Sequence, residues 1–180
     1  SSAASDVYKR QVNHSGKSPM SDLRKKNNRD TPWGVKIWGV GNEMWGCGGN
    51  MTPEYYANLY RQYSTFMGDW SNSGKLFRIA SGANVADYHW TEVLMRDIPR
   101  SLIEGVALHS YSFVKWEKKG SPTKFDEKQY FETMKTALLM EELVTKHSEI
   151  MDKYDPEKKT ALIVDEWGGW YDVCLLYTSP

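Results

Sequence analysis

Short apolar segments alternate with helical ones along this chain, and that order constrains the fold more than any other feature. Val35–Val40 is β-branched and aromatic and is closed by Gly41, as a strand would be. Thr52-Pro53 then opens a helix, Thr52 suited to the cap and Pro53 to the first helical position. Tyr56, Leu59/Tyr60, Tyr63 and Phe66/Met67 recur at helical spacing, so this helix buries one face. Asn72-Ser73-Gly74 reads as a turn, Leu76–Ala80 as a second strand, and Asp87–Ile98 as a second helix that stops near Pro99. Gly105–His109 is a third strand, followed by a charged loop over Ser112–Phe125. Asp126 starts a long helix to about Tyr154, with Phe131, Met134, Leu138, Val144, His147 and Met151 along one stripe. Asp155-Pro156 breaks it, and Ala161–Val164 is a fourth strand running into Asp165-Glu166-Trp167-Gly168. Ahead of all this, Val12–Thr31 is polar and reads as loop with one short helical turn. Short apolar strands separated by amphipathic helices imply an α/β fold with parallel strands buried on both faces. There is no internal repeat, low-complexity tract or interdomain linker.

The two ends share an unusual relationship. One coding of Asp-Val-Tyr-Lys-Arg-Gln at residues 6–11 is GAT GTG TAT AAG AGA CAG. Its reverse complement, shifted by one base, translates to Cys-Leu-Leu-Tyr-Thr-Ser, which is residues 174–179. The alternative is two ordinary chain ends, but an inverted repeat confined to the termini is how translated sequencing adapter looks. Residues 1–11 and 174–180 are therefore expected to be adapter-derived and are set aside, leaving residues 12–173 as the genuine stretch. Of 23 basic and 23 acidic side chains this removes Lys9, Arg10 and Asp6, for a formal charge of −1. A near-neutral chain has no electrostatic footprint for nucleic acid or an anionic membrane. No apolar run approaches a membrane span. Only Cys47 remains of the two cysteines, so an internal disulfide is not expected. Eight tryptophans and eleven tyrosines are many for this length, fitting either an aromatic core or platforms for sugar rings.

In parallel β/α architectures the active-site groups gather at the C-terminal ends of the strands. Two glutamates fall there, Glu43 after the first strand and Glu166 after the fourth, three helical crossovers apart. On an open sheet those ends would be too distant to cooperate; on a closed eight-stranded barrel they face one another across the mouth. Two carboxylates about 5–5.5 Å apart suit a retaining glycosidase, in which one attacks the anomeric carbon and the other serves the leaving oxygen. Asn42 could orient a sugar hydroxyl, and Trp167 and Trp170 offer apolar faces to a sugar ring. Tyr111 could hydrogen-bond the nucleophile and keep it ionised. A glutamate at a strand end is by itself more often a structural partner than a catalyst. The pairing of Gly-Asn-Glu after one strand with Asp-Glu-Trp-Gly after another reverses that preference. Asp165 is expected to alternate to the opposite side from Glu166 as a structural hydrogen-bonding residue. His109 is either a core histidine behind the site or a substrate contact. Trp45 and Gly46-Cys47-Gly48-Gly49 either shape the loop or form a subsite; the glycines lack the Gly-Lys-Ser/Thr ending of a phosphate cradle. Cys47 has no second cysteine nearby and the histidines are scattered, so no metal site is expected. Asn13-His14-Ser15 and Asn50-Met51-Thr52 match the glycosylation pattern, which matters only in a secretory pathway.

The run Trp38-Gly39-Val40-Gly41-Asn42-Glu43-Met44-Trp45-Gly46-Cys47-Gly48-Gly49 closely resembles family 51 of the glycoside hydrolases, the α-L-arabinofuranosidases. Met51-Thr52-Pro53-Glu54-Tyr55-Tyr56-Ala57, Ala86–Leu94 and Leu162-Ile163-Val164-Asp165-Glu166-Trp167-Gly168 continue the likeness. The resemblance implies a partial (β/α)8 TIM barrel, with the four strands here as the fourth to seventh of the barrel and an accessory β-sandwich elsewhere. It implies Glu43 as acid/base and Glu166 as nucleophile, with Asn42, Tyr111 and Trp170 on substrate-contacting positions and His109 beside them. The match is looser at His109-Ser110-Tyr111, where many relatives have a second aromatic in place of Ser110. The implied reaction releases terminal α-L-arabinofuranosyl groups from arabinan or arabinoxylan with retention, using no metal or organic cofactor. The implied partner is an arabinose-containing oligosaccharide or polysaccharide; assembly of the parent into a homo-oligomer is left open, as are secretion and residence in a bacterial cytoplasm. Two rivals remain: a related retaining barrel glycosidase such as a β-xylosidase or endoglucanase, and a gene fragment with no catalytic function. The first three strands and the eighth are missing, so activity is expected of the parent and not of these 180 residues alone.

Overall fold

The computed structural model describes residues 10–68 and 75–172. The expected turn at Asn72-Ser73-Gly74 lies outside them, as do residues 1–9 and 173–180 of the two ends. Four parallel strands, β1 (Ile37–Val40), β2 (Phe77–Asn84), β3 (Gly105–Ser112) and β4 (Ala161–Gly169), form one curled sheet in chain order, the shape of half a barrel. Between them run the helices α2 (Pro53–Phe66), α3 (Tyr88–Asp97), α4 (Glu127–Ala137) and α5 (Leu139–Tyr154), with α1 (Pro19–Lys26) ahead of the sheet. No helix among the described residues is long and apolar enough to cross a membrane.

Local chemistry starts the helices where the sequence indicates. The Thr52 hydroxyl accepts from the Tyr55 N–H with Pro53 behind it, Asp87 accepts from the Trp90 N–H, and Asp126 exchanges a capping box with Gln129. Two expectations are corrected. The stretch before β1 holds more helix than a single turn: Ser18 and Ser21 form a capping box that starts the eight residues of α1. The helix from Asp126 to Tyr154 is two helices, interrupted at Leu138, whose N–H bonds back to the Lys135 carbonyl. The apolar stripe therefore does not continue across the break. His147 and Met151 on α5 are buried, whereas Phe131, Met134, Leu138 and Val144 are exposed. Asn13 is fully buried, its amide bonding both the N–H and the carbonyl of Val35, so it is no glycan acceptor in this fold.

The core lies between the sheet and α2 and α3, around Tyr56, Tyr60, Trp90, Val93, Leu94 and Val106. Its centre is an irregularity in β2. Ala80 pairs with Val106, but Ala83 pairs with Leu108, so Ser81 and Gly82 drop out of the ladder. The freed Ser81 N–H donates to the Tyr56 hydroxyl at 2.7 Å, and the Ser81 carbonyl accepts from Trp90 Nε1 at 3.0 Å. Two stacked core rings thus satisfy backbone groups that would otherwise be buried without partners.

Gly82 tolerates no side chain, since a Cβ there would sit 1.5 Å from the Ala107 carbonyl oxygen. Gly82→Ala is expected to destabilise the complete protein by about 3 kcal/mol through forced displacement of β3. Gly120, at φ +92 with open space around it, should cost only about 1 kcal/mol as alanine. Melting temperatures of the two variants check the contrast; equal losses would remove the close approach as the cause.

At the N-terminal ends of the strands, away from Glu43 and Glu166, Arg78 of β2 forks onto Glu104 just before β3 at 2.8 and 2.9 Å. The same guanidinium donates to the Ser64 and Ser101 carbonyls. Burial pushes the Glu104 carboxyl up, but the hydrogen bonds from Arg78 and Lys75 outweigh it and hold the group below its ordinary range. A lowered carboxyl adds stability that is present above the unfolded value and lost as pH falls through the folded one. This end is the clamp, and the other end is free for chemistry.

Candidate active site

The Glu43 loop is built on a left-handed backbone. Gly41 has φ +95, and a Cβ there would meet Met44 Sδ at 2.8 Å. Glu43 itself has φ +45, a conformation costing a non-glycine residue about 1–3 kcal/mol. The surroundings impose it. The Glu43 carbonyl accepts from the N–H groups of Gly46 and Gly48 at 2.8 and 3.0 Å. The irregular part of β2 holds the loop from below, Ser81 Oγ accepting from the Met44 N–H and the Gly82 carbonyl from Trp45 Nε1. Gly48 must be glycine, because a Cβ would lie 1.8 Å from the Asn42 carbonyl oxygen. Trp45 and the glycine turn are therefore loop-shaping in this structure. Asn42 is exposed next to Glu43.

Glu166 stands on β4, and Tyr111 of β3 donates to its Oε2 at 2.8 Å. Burial first, and then the Glu166 carboxylate, push the Tyr111 hydroxyl up to about 12, so it keeps its proton and remains a donor. The Tyr111 ring meets Trp170 edge-on with centroids 5.0 Å apart. Trp170 in turn contacts Trp116 and Phe113, and Lys119 sits over both tryptophans. Trp167 follows Glu166 on an extended strand, alternates to the other face and is 70% exposed. The wall beside Glu166 is thus Tyr111 and Trp170, without Trp167.

His109 lies between the two glutamates and is 5% exposed. Its Nδ1 is 3.1 Å from Glu43 Oε1 and 3.5 Å from Glu166 Oε2. One donor atom from each of Glu43, His109 and Glu166 lies within 4.8 Å of the other two. Of the two carboxylates, Glu43 is the one within hydrogen-bond distance of Nδ1, and Glu166 stands just beyond it. The sequence separates Glu43 from Glu166 by three crossovers, and the curl of the sheet brings them to one end.

Two contacts were not legible in the sequence. Cys47 Sγ donates to Glu43 Oε2 at 3.2 Å, and this hydrogen bond is the leading reason that the thiol is raised above its ordinary range. The four-residue spacing inside a glycine-rich turn was the available signal. Asp165 does not turn away from the site as strand alternation suggests; its Oδ1 lies 3.2 Å from His109 Nε2. The cause is a bulge, since Leu108 pairs with Val164 but His109 pairs with Glu166, leaving Asp165 as the extra residue.

A half-barrel of parallel strands thus carries two carboxylates and an aromatic wall at one end, the end at which (β/α)8 proteins hold their active-site groups. Comparison with known proteins agrees. The chain is 51% identical over 158 residues to an intracellular exo-α-L-arabinofuranosidase of Bacteroides ovatus, covering 87% of this chain and 30% of that protein. It superposes on the family 51 arabinofuranosidase of Xanthomonas axonopodis pv. citri with a TM-score of 0.90 at 45% identity, covering 95% of this chain and 34% of that one. For the Thermotoga maritima α-L-arabinofuranosidase in its arabinose complex the TM-score is 0.77 at 25% identity, covering 97% of this chain and 33% of that one. No family model matches. The chain is homologous to the family 51 arabinofuranosidases over most of its length and spans about a third of theirs.

Proposed function

We propose that these residues carry both catalytic carboxylates of a retaining exo-α-L-arabinofuranosidase, with residues 12–173 as the central part of its (β/α)8 catalytic domain. One observation supports this above the rest: oxygens of Glu43 and Glu166 approach within 4.8 Å at the same end of the strands. Retaining pairs stand about 5–5.5 Å apart, whereas an inverting pair needs about 6.5–9.5 Å to admit a water.

In this reading Glu166 attacks the anomeric carbon of a terminal arabinofuranosyl group while Glu43 protonates the departing oxygen. Glu43, now ionised, takes a proton from water, which attacks the same carbon and releases arabinose with Glu166 as leaving group. Tyr111 orients Glu166 through its hydrogen bond, and the rings of Tyr111 and Trp170 line one side of the sugar. Asn42 meets a sugar hydroxyl, and His109 borders the sugar from between the carboxylates. The substrates are arabinose-bearing oligosaccharides or polysaccharides of the arabinan or arabinoxylan type.

The complete enzyme is expected to hydrolyse 4-nitrophenyl α-L-arabinofuranoside and to leave 4-nitrophenyl β-D-xyloside and β-D-glucoside essentially untouched. A preference for the xyloside would assign the site to another retaining barrel glycosidase.

A further inference from the structure

The proposed chemistry leaves one carboxylate at the site without a role. In a regular strand Asp165 would point away from Glu166, but the bulge opposite His109 places it on the same imidazole that Glu43 and Glu166 touch. Three acidic groups therefore face a ring that is 5% exposed. Tyr111 stands behind Glu166 and Cys47 behind Glu43. From β2, the partner in register is Asn84, which carries no charge, and the Val85 N–H is taken by the His109 carbonyl.

We propose that Asp165 is a positioning residue for the acid/base. It accepts the Nε2–H of His109 and so fixes the tautomer whose bare Nδ1 faces Glu43. The inference rests on the assignment of Glu43 as acid/base. A neutral imidazole carries one proton, and an ionised carboxylate can only accept; with Asp165 at Nε2, the proton is there and Nδ1 presents a lone pair. That lone pair, 3.1 Å from Glu43 Oε1, is attractive when the oxygen carries a proton and repulsive when it does not. Glu166 receives the opposite instruction, an O–H from Tyr111 at 2.8 Å. Two chemically identical carboxyl groups are thereby biased apart: the Nδ1 lone pair lies nearer Glu43 than Glu166, 3.1 against 3.5 Å, and the Tyr111 hydroxyl at 2.8 Å is a stronger donor to Glu166 than the Cys47 thiol at 3.2 Å is to Glu43. Asp165 does this without touching the substrate.

Asp165→Asn tests this in the complete enzyme. The amide has the same size but no charge to hold the proton at Nε2; with its NH2 toward Nε2 it donates, and Nδ1 becomes the donor toward Glu43. The readout is the ratio of kcat/KM for 2,4-dinitrophenyl and phenyl α-L-arabinofuranosides. The first leaving group departs without a proton and the second requires one, and the ratio is unaffected by how much of a variant folds. Asp165→Asn should slow the phenyl substrate about tenfold or more and the dinitrophenyl substrate less than about threefold. Asp165→Glu, which keeps the acceptor, should restore most of the phenyl rate. Equal slowing of both substrates, or no slowing of either, overturns the positioning role. Glu43→Ala measured alongside must itself show a larger split. If it does, an unsplit Asp165→Asn overturns only the present inference; if it does not, the acid/base assignment beneath it has failed.

Discussion

Glu166→Ala in the complete enzyme is expected to abolish turnover of every arabinofuranoside, whereas Glu43→Ala should spare substrates whose leaving group needs no proton. The difference follows from what each carboxylate supplies. Without Glu166 no nucleophile stands at the anomeric carbon, and a better leaving group does not replace it. Without Glu43 the missing element is proton transfer, worth about 10²–10⁴-fold where the departing oxygen is basic. Natural oligosaccharides should then lose about that factor, while the first step on a dinitrophenyl arabinofuranoside should be nearly unaffected. Steady-state kinetics on both substrate types separate the two variants. Equal losses from Glu43→Ala would contradict its role as acid.

Expressed alone, residues 12–173 should be inactive and should associate. A barrel mouth holds its carboxylates because closure fixes the strands that carry them. Here β1 and β4 are the two edges of a four-stranded sheet. On β3 the strand residues Val106 and Leu108 are fully buried, whereas Leu162, Ile163 and Val164 of β4 are only partly covered and Ile37 of β1 is 65% exposed. A cavity of about 380 Å³ opens along β1, lined by Trp38, Val40, Met44, Leu59, Tyr63 and Met67. Bare strand edges next to apolar surface favour self-association over a monomeric fold. Size-exclusion chromatography with an assay of 4-nitrophenyl arabinofuranoside decides the matter, and a monodisperse, active monomer would contradict it.

Much of this site was legible in the sequence because its elements are local. Gly-Asn-Glu closing one strand and Asp-Glu-Trp-Gly closing another locate both carboxylates, and strand–helix alternation fixes which end of the sheet they occupy. Thr52-Pro53 and Asp87 state their helix starts through side chains that reach backbone N–H groups three residues on. What the sequence hid is long-range. The bulge that turns Asp165 onto His109 depends on how β3 and β4 register, and no residue type within either strand announces it. The same holds for Ser81 and Gly82, whose freed backbone groups are claimed by Tyr56 and Trp90 from two helices and by Trp45 from the Glu43 loop. The break at Leu138 has no proline or glycine to mark it, so periodicity carried one stripe across two helices. Ser18, with Ser21 in place of the usual Glu or Gln of a capping box, was a weaker signal that marked a real helix.

The central claim is that Glu43 and Glu166 divide the work as acid/base and nucleophile, and azide rescue of the two alanine variants tests it most directly. Azide can enter the space left by either side chain, and the configuration of the arabinosyl azide records which step it served. With Glu43→Ala, azide should attack the intermediate held on Glu166 and give the α-azide, with net retention. With Glu166→Ala, it should attack the substrate itself and give the β-azide, with inversion. Proton NMR of the two products distinguishes them. The reverse pattern, with the α-azide from Glu166→Ala and the β-azide from Glu43→Ala, would contradict the assignment.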